Sequence, residues 1–204
     1  MKQYCKKCIY KILPYYERHY LPNQVIFLEG EKLDLVYRIE EGYVKMHRYY
    51  ESGDEKILSI LGPGDYIALI AVLKDQNNYI ASAMSLTKTK LQVIDKYSVK
   101  NAYNSNDLFK DNCVNCAITR THFFQFQITQ FSNLNTEEKI LNTLLNLHQK
   151  FGDKLSNTKS MTLPFSKSIL ANIIGIRRET LSRYLSVMQE KKVLKVDKNF
   201  YVFL

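Results

Sequence analysis

Ser166 to Leu194, SKSILANIIGIRRETLSRYLSVMQEKKVL, constrains this chain more than any other stretch. It predicts two helices hinged at Gly175. Ser166 can cap the first, its hydroxyl accepting from free backbone N–H groups. Ile169, Leu170, Ile173 and Ile174 then recur at helical spacing. Gly175 supplies a left-handed turn that other residues enter only with strain. The second helix, from about Arg177 to Gln189, buries Leu181, Leu185 and Met188 at spacings of four and three. Two short helices joined through a glycine turn form a helix-turn-helix.

The outward face of the second helix carries Arg178, Glu179, Ser182 and Arg183. Positions 179, 182 and 183 are three and four apart, so their side chains project together. An arginine can donate two hydrogen bonds to O6 and N7 of guanine, and a glutamate can accept from cytosine N4. Lys167 and Arg177, near the two helix starts, suit phosphates that fix register without carrying sequence. An ordinary surface helix with a Glu179–Arg183 ion pair fits the charge pattern equally well. The tail favours double-stranded DNA. Val193–Val196 and Phe200–Phe203 alternate around Asp197-Lys198-Asn199, which predicts a β-hairpin wing. From Met161 to Leu204 there are eight Lys/Arg and three Asp/Glu, a net +5 of the whole chain's +9. Phosphate neutralisation needs such an asymmetry.

The 204 residues suggest one large or two small domains, and 46% apolar content with 15 Tyr and 10 Phe supports an aromatic core. No stretch is long and apolar enough to span a bilayer. The N-terminus MKQYCKKCIYKILPYY lacks the apolar core of a signal peptide. A cytoplasmic protein with no membrane contact and mostly reduced cysteines is therefore expected. His19, His47, His122 and His148 are scattered, without HxH or HExxH spacing, and are expected at surfaces or interfaces. Serine-hydrolase, Walker A and dinucleotide glycine motifs are absent, so no enzyme is expected.

From about Pro22 to Asp95 the pattern is β. Val25–Leu28, Leu35–Ile39, Tyr43–Met46, Lys56–Ile60 and Leu91–Ile94 are short strands between glycine-bearing turns. Helix returns after Asn104, with Asp107 as its candidate cap. Val114, Ala117, Thr121, Phe124, Ile128 and Phe131 are spaced three and four apart, a heptad seam. It suits a dimer that pairs two reading helices across a palindrome, or a core helix of its own domain. A break follows at Asn133–Thr136. A further helix then runs to about Lys150 with Ile140, Leu141, Leu144, Leu145 and Leu147 on its apolar face, and 156–160 reads as a loop. The fold class is α+β: a sensor domain over 1–105, a dimerisation helix over 106–134 and a winged helix-turn-helix over 135–204.

Gly30-Glu31, Leu35-Val36-Tyr37-Arg38-Ile39, Glu41-Gly42-Tyr43-Val44-Lys45, Gly53 and Leu61-Gly62-Pro63-Gly64-Asp65 carry a resemblance in the first half. Leu170-Ala171, Gly175-Ile176, Arg178-Glu179-Thr180 and Ser182-Arg183 carry it in the second. Over nearly its whole length the chain resembles the CRP/FNR family of bacterial transcription regulators. The resemblance implies a double-stranded β-helix of the cyclic-nucleotide-binding type, a homodimer, sequence-specific DNA binding and contact with RNA polymerase. Glu179, Ser182 and Arg183 match the base-reading trio of the FNR branch, which implies TTGA-like half-sites.

The resemblance also indicates what controls the reader. Cyclic-nucleotide members hold the ribose with Gly-Glu after the PGD turn and the phosphate with Arg and a hydroxyl residue. Ala68-Leu69 and Ala81-Ser82 stand at the corresponding places, so cyclic AMP is not expected as effector. The four cysteines form two CxxC pairs, Cys5 with Cys8 and Cys113 with Cys116. Four thiolates can bind zinc or an iron–sulfur cluster, two can close a reversible disulfide, and all four can be plain thiols. The FNR cluster does not transfer residue by residue, because the third N-terminal cysteine is missing and Gln92 or its neighbour takes the roll position. Flp-type thiol-switch regulators of Gram-positive bacteria look more similar in this respect. A thiol- or metal-binding protein whose helix-turn-helix serves protein contacts is the other class the residues allow.

Overall fold

The computed structural model describes residues 13–132, 134–152 and 159–204. They form two compact units whose boundary falls after Phe124. The first contains β1 (Tyr16–Tyr20), β2 (Val25–Phe27), β3 (Leu35–Glu41), β4 (Val44–Tyr49), β5 (Glu55–Leu61), β6 (Tyr66–Ile67), α1 (Leu69–Leu73), β7 (Ser82–Ser85), β8 (Thr89–Asp95), α2 (Lys96–Ser105) and the start of α3 (Asp107–Ser132). Two antiparallel sheets result, ordered β1-β8-β3-β6 and β2-β7-β4-β5.

The register explains why β3 reads as an unbroken apolar run. Tyr37 faces Val93 and Ile39 faces Leu91, while Val36 faces Ile94 on the other side of the sheet. Both sets are buried, and α1 and α2 pack against this sheet. A sheet covered on both faces loses the alternation that a half-solvated one shows. Phe27 stacks between Tyr37 and Tyr79, at centroid distances of 5.5 and 3.7 Å, and joins the two sheets' apolar faces.

Several elements depart from the sequence expectations. Helix begins at Lys96, not after Asn104, because Asp95 accepts from the N–H groups of Tyr97 and Ser98 at 2.9 and 3.0 Å. Only Val99 and Ala102 of α2 are buried, too few for a visible apolar period. Asn106, not Asp107, caps α3, its side chain accepting from Phe109 N–H at 2.9 Å. β1 reads as polar because it is an exposed edge strand, and β7 (SAMS) is too short and small-residued to register as a strand. Ser160, expected in a loop, opens a strand, and residues 153–158 lie outside those described.

α3 is 26 residues long. Phe109 and Cys113 are buried in the roll core. Val114 and Ile128 of the seam are 45% and 69% exposed. Ala117 is half-buried, Thr121 is exposed, and the side chains of Phe124 and Phe131 lie outside the described residues.

In the second unit α4 (Thr136–Phe151) starts with a reciprocal box: Asn135 Oδ1 accepts from Glu138 N–H at 2.9 Å, and Asn135 N–H donates to Glu138 Oε2 at 3.0 Å. Ile140 and Leu144 are buried, whereas Leu145, expected on the apolar face, is exposed. β9 (Ser160–Thr162), α5 (Lys167–Ile174), α6 (Arg178–Glu190), β10 (Leu194–Asp197) and β11 (Phe200–Phe203) follow, with the sheet ordered β10-β11-β9.

Gly42 turns β3 into β4 at φ +84°, and a Cβ there would lie 2.3 Å from the Lys88 carbonyl oxygen. Gly42→Ala is expected to destabilise the roll by about 2 kcal/mol or more, from left-handed strain plus the backbone clash. Chemical denaturation of wild type and variant measures it.

Candidate nucleic-acid interface

Ser166 caps α5, its hydroxyl accepting from Ile169 N–H at 3.5 Å. Leu170, Ala171 and Ile174 are buried on α5, and Leu181, Leu185 and Met188 on α6. The two helices pack together through these faces. Between them Gly175 adopts φ 81°, ψ 34°. Its N–H donates to Ala171 O at 2.9 Å, and the N–H of Ile176 reaches the same carbonyl at 3.0 Å. The bond from the second residue past the helix back to Ala171 is the Schellman pattern, which needs a left-handed residue at that place.

With the apolar face of α6 pinned, its other face is set. Arg178, Glu179, Ser182 and Arg183 are all exposed; Arg177 is exposed and Lys167 half-buried. No ion pair joins Glu179 to Arg183 among the described residues, so both side chains are available. The Arg183 guanidinium lies 5.6 Å from the ring centroid of Tyr184, a contact the sequence reading missed. Arg177 sits at the N-cap with no side-chain bond to the first turn, which leaves helix N–H groups and their positive dipole end open. Lys191 braces the far end of α6 to Glu137 at 2.9 Å. The wing forms as expected, with Tyr201 buried and its phenol pushed up to about 12 by desolvation.

Ala68, Leu69, Ala81 and Ser82, the roll positions singled out above, lie around the start of α1 and the start of β7. Ala68 sits at φ 67° ahead of α1; Leu69 and Ala81 are buried. Ser82 is buried too, and its hydroxyl accepts from Glu29 N–H at 2.9 Å. His47, expected at a surface or interface, is 1% exposed. Its Nε2 lies 3.6 Å from Glu55 Oε1, the oxygen that also accepts from Lys45 Nζ. Burial, then the Lys45 charge, holds its pKa below the ordinary value.

The cysteines separate by environment. Cys113 is 1% exposed, and burial pushes its thiol up to about 12. Cys116 is half-buried, and no disulfide joins the two. Cys5 and Cys8 lie outside the described residues. Among the described residues no three His, Cys, Asp or Glu side chains gather as metal ligands. Nor, among them, is any helix long and apolar enough to cross a membrane.

A β-roll in one unit and a winged helix-turn-helix in the other define a regulator that pairs a sensing module with a DNA reader. Comparison with known proteins agrees. Residues 17–106 match the cyclic nucleotide-binding domain, and residues 138–203 match the Crp-like helix-turn-helix domain. An anaerobic regulatory protein of Aggregatibacter actinomycetemcomitans is 25% identical over 178 residues, covering 86% of this chain and 67% of that protein. The fumarate and nitrate reduction regulatory protein of Vibrio cholerae is 24% identical over 185 residues, covering 89% and 72%. The chain thus spans about two thirds of the length of the curated relatives it matches. The structure of FixK2 from Bradyrhizobium japonicum superposes with a TM-score of 0.83 at 19% identity, covering 94% of this chain and 93% of that one. The chain belongs to the CRP/FNR family of DNA-binding transcription regulators, which are not enzymes. Membership carries DNA binding and dimerisation with it.

Thiol alkylation separates the two central cysteines. Because the thiolate is the nucleophile, native Cys113 is expected to react at least about tenfold more slowly than Cys116 at neutral pH, and at a comparable rate once unfolded. Peptide mass mapping over a time course with iodoacetamide reads both.

Proposed function

We propose that the protein is a homodimer reading a palindrome with TTGA-like half-sites. Glu179, Ser182 and Arg183 read base edges; Lys167, Arg177 and Arg178 hold phosphates. The supporting observation is the shared exposure of Glu179, Ser182 and Arg183, with no ion pair between Glu179 and Arg183 to consume their donors and acceptors. The exposed Val114 and Ile128 support pairing through α3, along the seam that also includes Ala117, Thr121, Phe124 and Phe131. RNA polymerase is the proposed protein partner on the promoter.

Arg183→Ala is expected to cost about 1–3 kcal/mol on a TTGA-containing duplex and to relax preference at one guanine per half-site. Lys167→Ala should weaken all sequences about equally and flatten the salt dependence. Fluorescence anisotropy on matched and singly substituted duplexes measures both. Equal losses for the two variants on every duplex would remove the base-reading role.

The sensor, on this reading, answers to redox state or metal and not to cyclic AMP. Leu69 and Ala81 offer no ribose acceptor and no phosphate cation, and Ser82 is already bonded to the backbone. Calorimetric titration with cyclic AMP is expected to give no heat of binding; micromolar affinity would overturn this. Among the thiols, Cys116 with the N-terminal pair Cys5 and Cys8 is better suited to switching than Cys113. A four-thiolate metal or cluster site would require Cys113 to leave the core and ionise against its burial. DNA binding of Cys→Ser variants under reducing and oxidising conditions tests the thiol role; an unchanged response in all four would exclude it.

A further inference from the structure

Glu179 stands four residues before Arg183 on α6, the spacing and order in which an exposed carboxylate and guanidinium pair best. Glu190, the other acid of α6, is seven residues beyond Arg183 and outside the same turn. Yet no ion pair joins Glu179 to Arg183 among the described residues. The guanidinium carbon lies instead 5.6 Å from the ring centroid of Tyr184. Adjacency alone does not produce this contact. Successive helical residues point about 100° apart, so Arg183 has to bend across the helix surface to reach the ring. Tyr184 is half-buried, three residues from Leu181 and four from Met188, at the border of the packed side of α6.

Two partners compete for one guanidinium. An ion pair between exposed groups is weakened by water and salt, and it immobilises two long side chains. A cation over an aromatic face is worth as much or more at an exposed site, and here the ring is already restrained by partial burial. The balance falls to Tyr184, and the Glu179 carboxylate is left unspent. Base reading needs that outcome. A Glu179–Arg183 pair would tie the acceptor suited to cytosine N4 to the donors suited to guanine O6 and N7. We propose that Tyr184 is a positioning residue for base reading, its ring holding Arg183 off Glu179 so that both side chains meet the bases unpaired. The role rests on the reading proposed above for Glu179 and Arg183, and Tyr184 exerts it through Arg183 without touching a base.

Two measurements on the full-length protein test this. In the absence of DNA, the Arg183 Nε–H resonance is expected to carry an upfield ring-current shift in wild type and Tyr184→Phe, and to lose it in Tyr184→Leu. On DNA, fluorescence anisotropy compares a TTGA-containing duplex with one whose half-site guanines are replaced by adenine. Tyr184→Leu should lower that preference about threefold, the size of one exposed cation–π contact. Its salt dependence should stay that of wild type, because no phosphate contact is lost. Tyr184→Phe should keep the wild-type preference, and Tyr184→Leu should change nothing further in an Arg183→Ala background. A missing ring-current shift, or full preference in Tyr184→Leu, would overturn the proposal. So would equal losses in Tyr184→Phe and Tyr184→Leu, which would assign the effect to the phenol hydroxyl. A loss that persists in the Arg183→Ala background would also overturn it, as general damage to α6. Arg183→Ala tells the two levels apart. Guanine preference untouched by that variant removes base reading and the positioning role together, whereas preference lost there but kept in Tyr184→Leu removes the role of Tyr184 alone.

Discussion

The reading surface depends on a single turn. Gly175, at φ 81°, lets α5 end and α6 begin while the buried faces of the two helices stay against each other. Because Leu181, Leu185 and Met188 are committed to that contact, rotation of α6 about its axis is blocked. Glu179, Ser182 and Arg183 have no other direction to point. Their outward placement is thus a consequence of apolar packing on the opposite side of the same helix.

The roll is organised by a comparable commitment of apolar groups. Leu69 heads α1 as a core residue, and Ala81 and Ser82 are buried in the same module. A position that must be apolar to complete a core cannot also hold a charged ligand group. Buried Lys45 and His47 are both set beside the half-buried Glu55, which offsets part of the desolvation each would suffer alone. Cys113 follows the same logic: once a thiol becomes part of the core beside Phe109, its ionisation is opposed by that core.

Much of the second unit is legible in the sequence. The helix-turn-helix, its glycine, its serine cap and the wing all announce themselves by local chemistry, and the structure places them within a residue or two of expectation. Elements with weak local signals were not legible. α2 buries only two residues, β1 is an exposed edge, and β7 is four small residues long; each exists because a neighbour covers or pairs with it. Tyr184 beside Arg183 was likewise invisible, since residues adjacent in a helix are not ordinarily neighbours in space.

Sequence alone determined the periodicities, the turn residues, the charge asymmetry towards the C-terminus and the trio at 179, 182 and 183, because each is a short-range property. Tertiary structure alone decided which of two matched thiols is accessible. Cys113 and Cys116 share a motif and a helix, yet one lies in the roll core and the other does not. It also decided that His47 is buried. Burial is set by what the rest of the chain brings alongside a residue, and no local pattern encodes that.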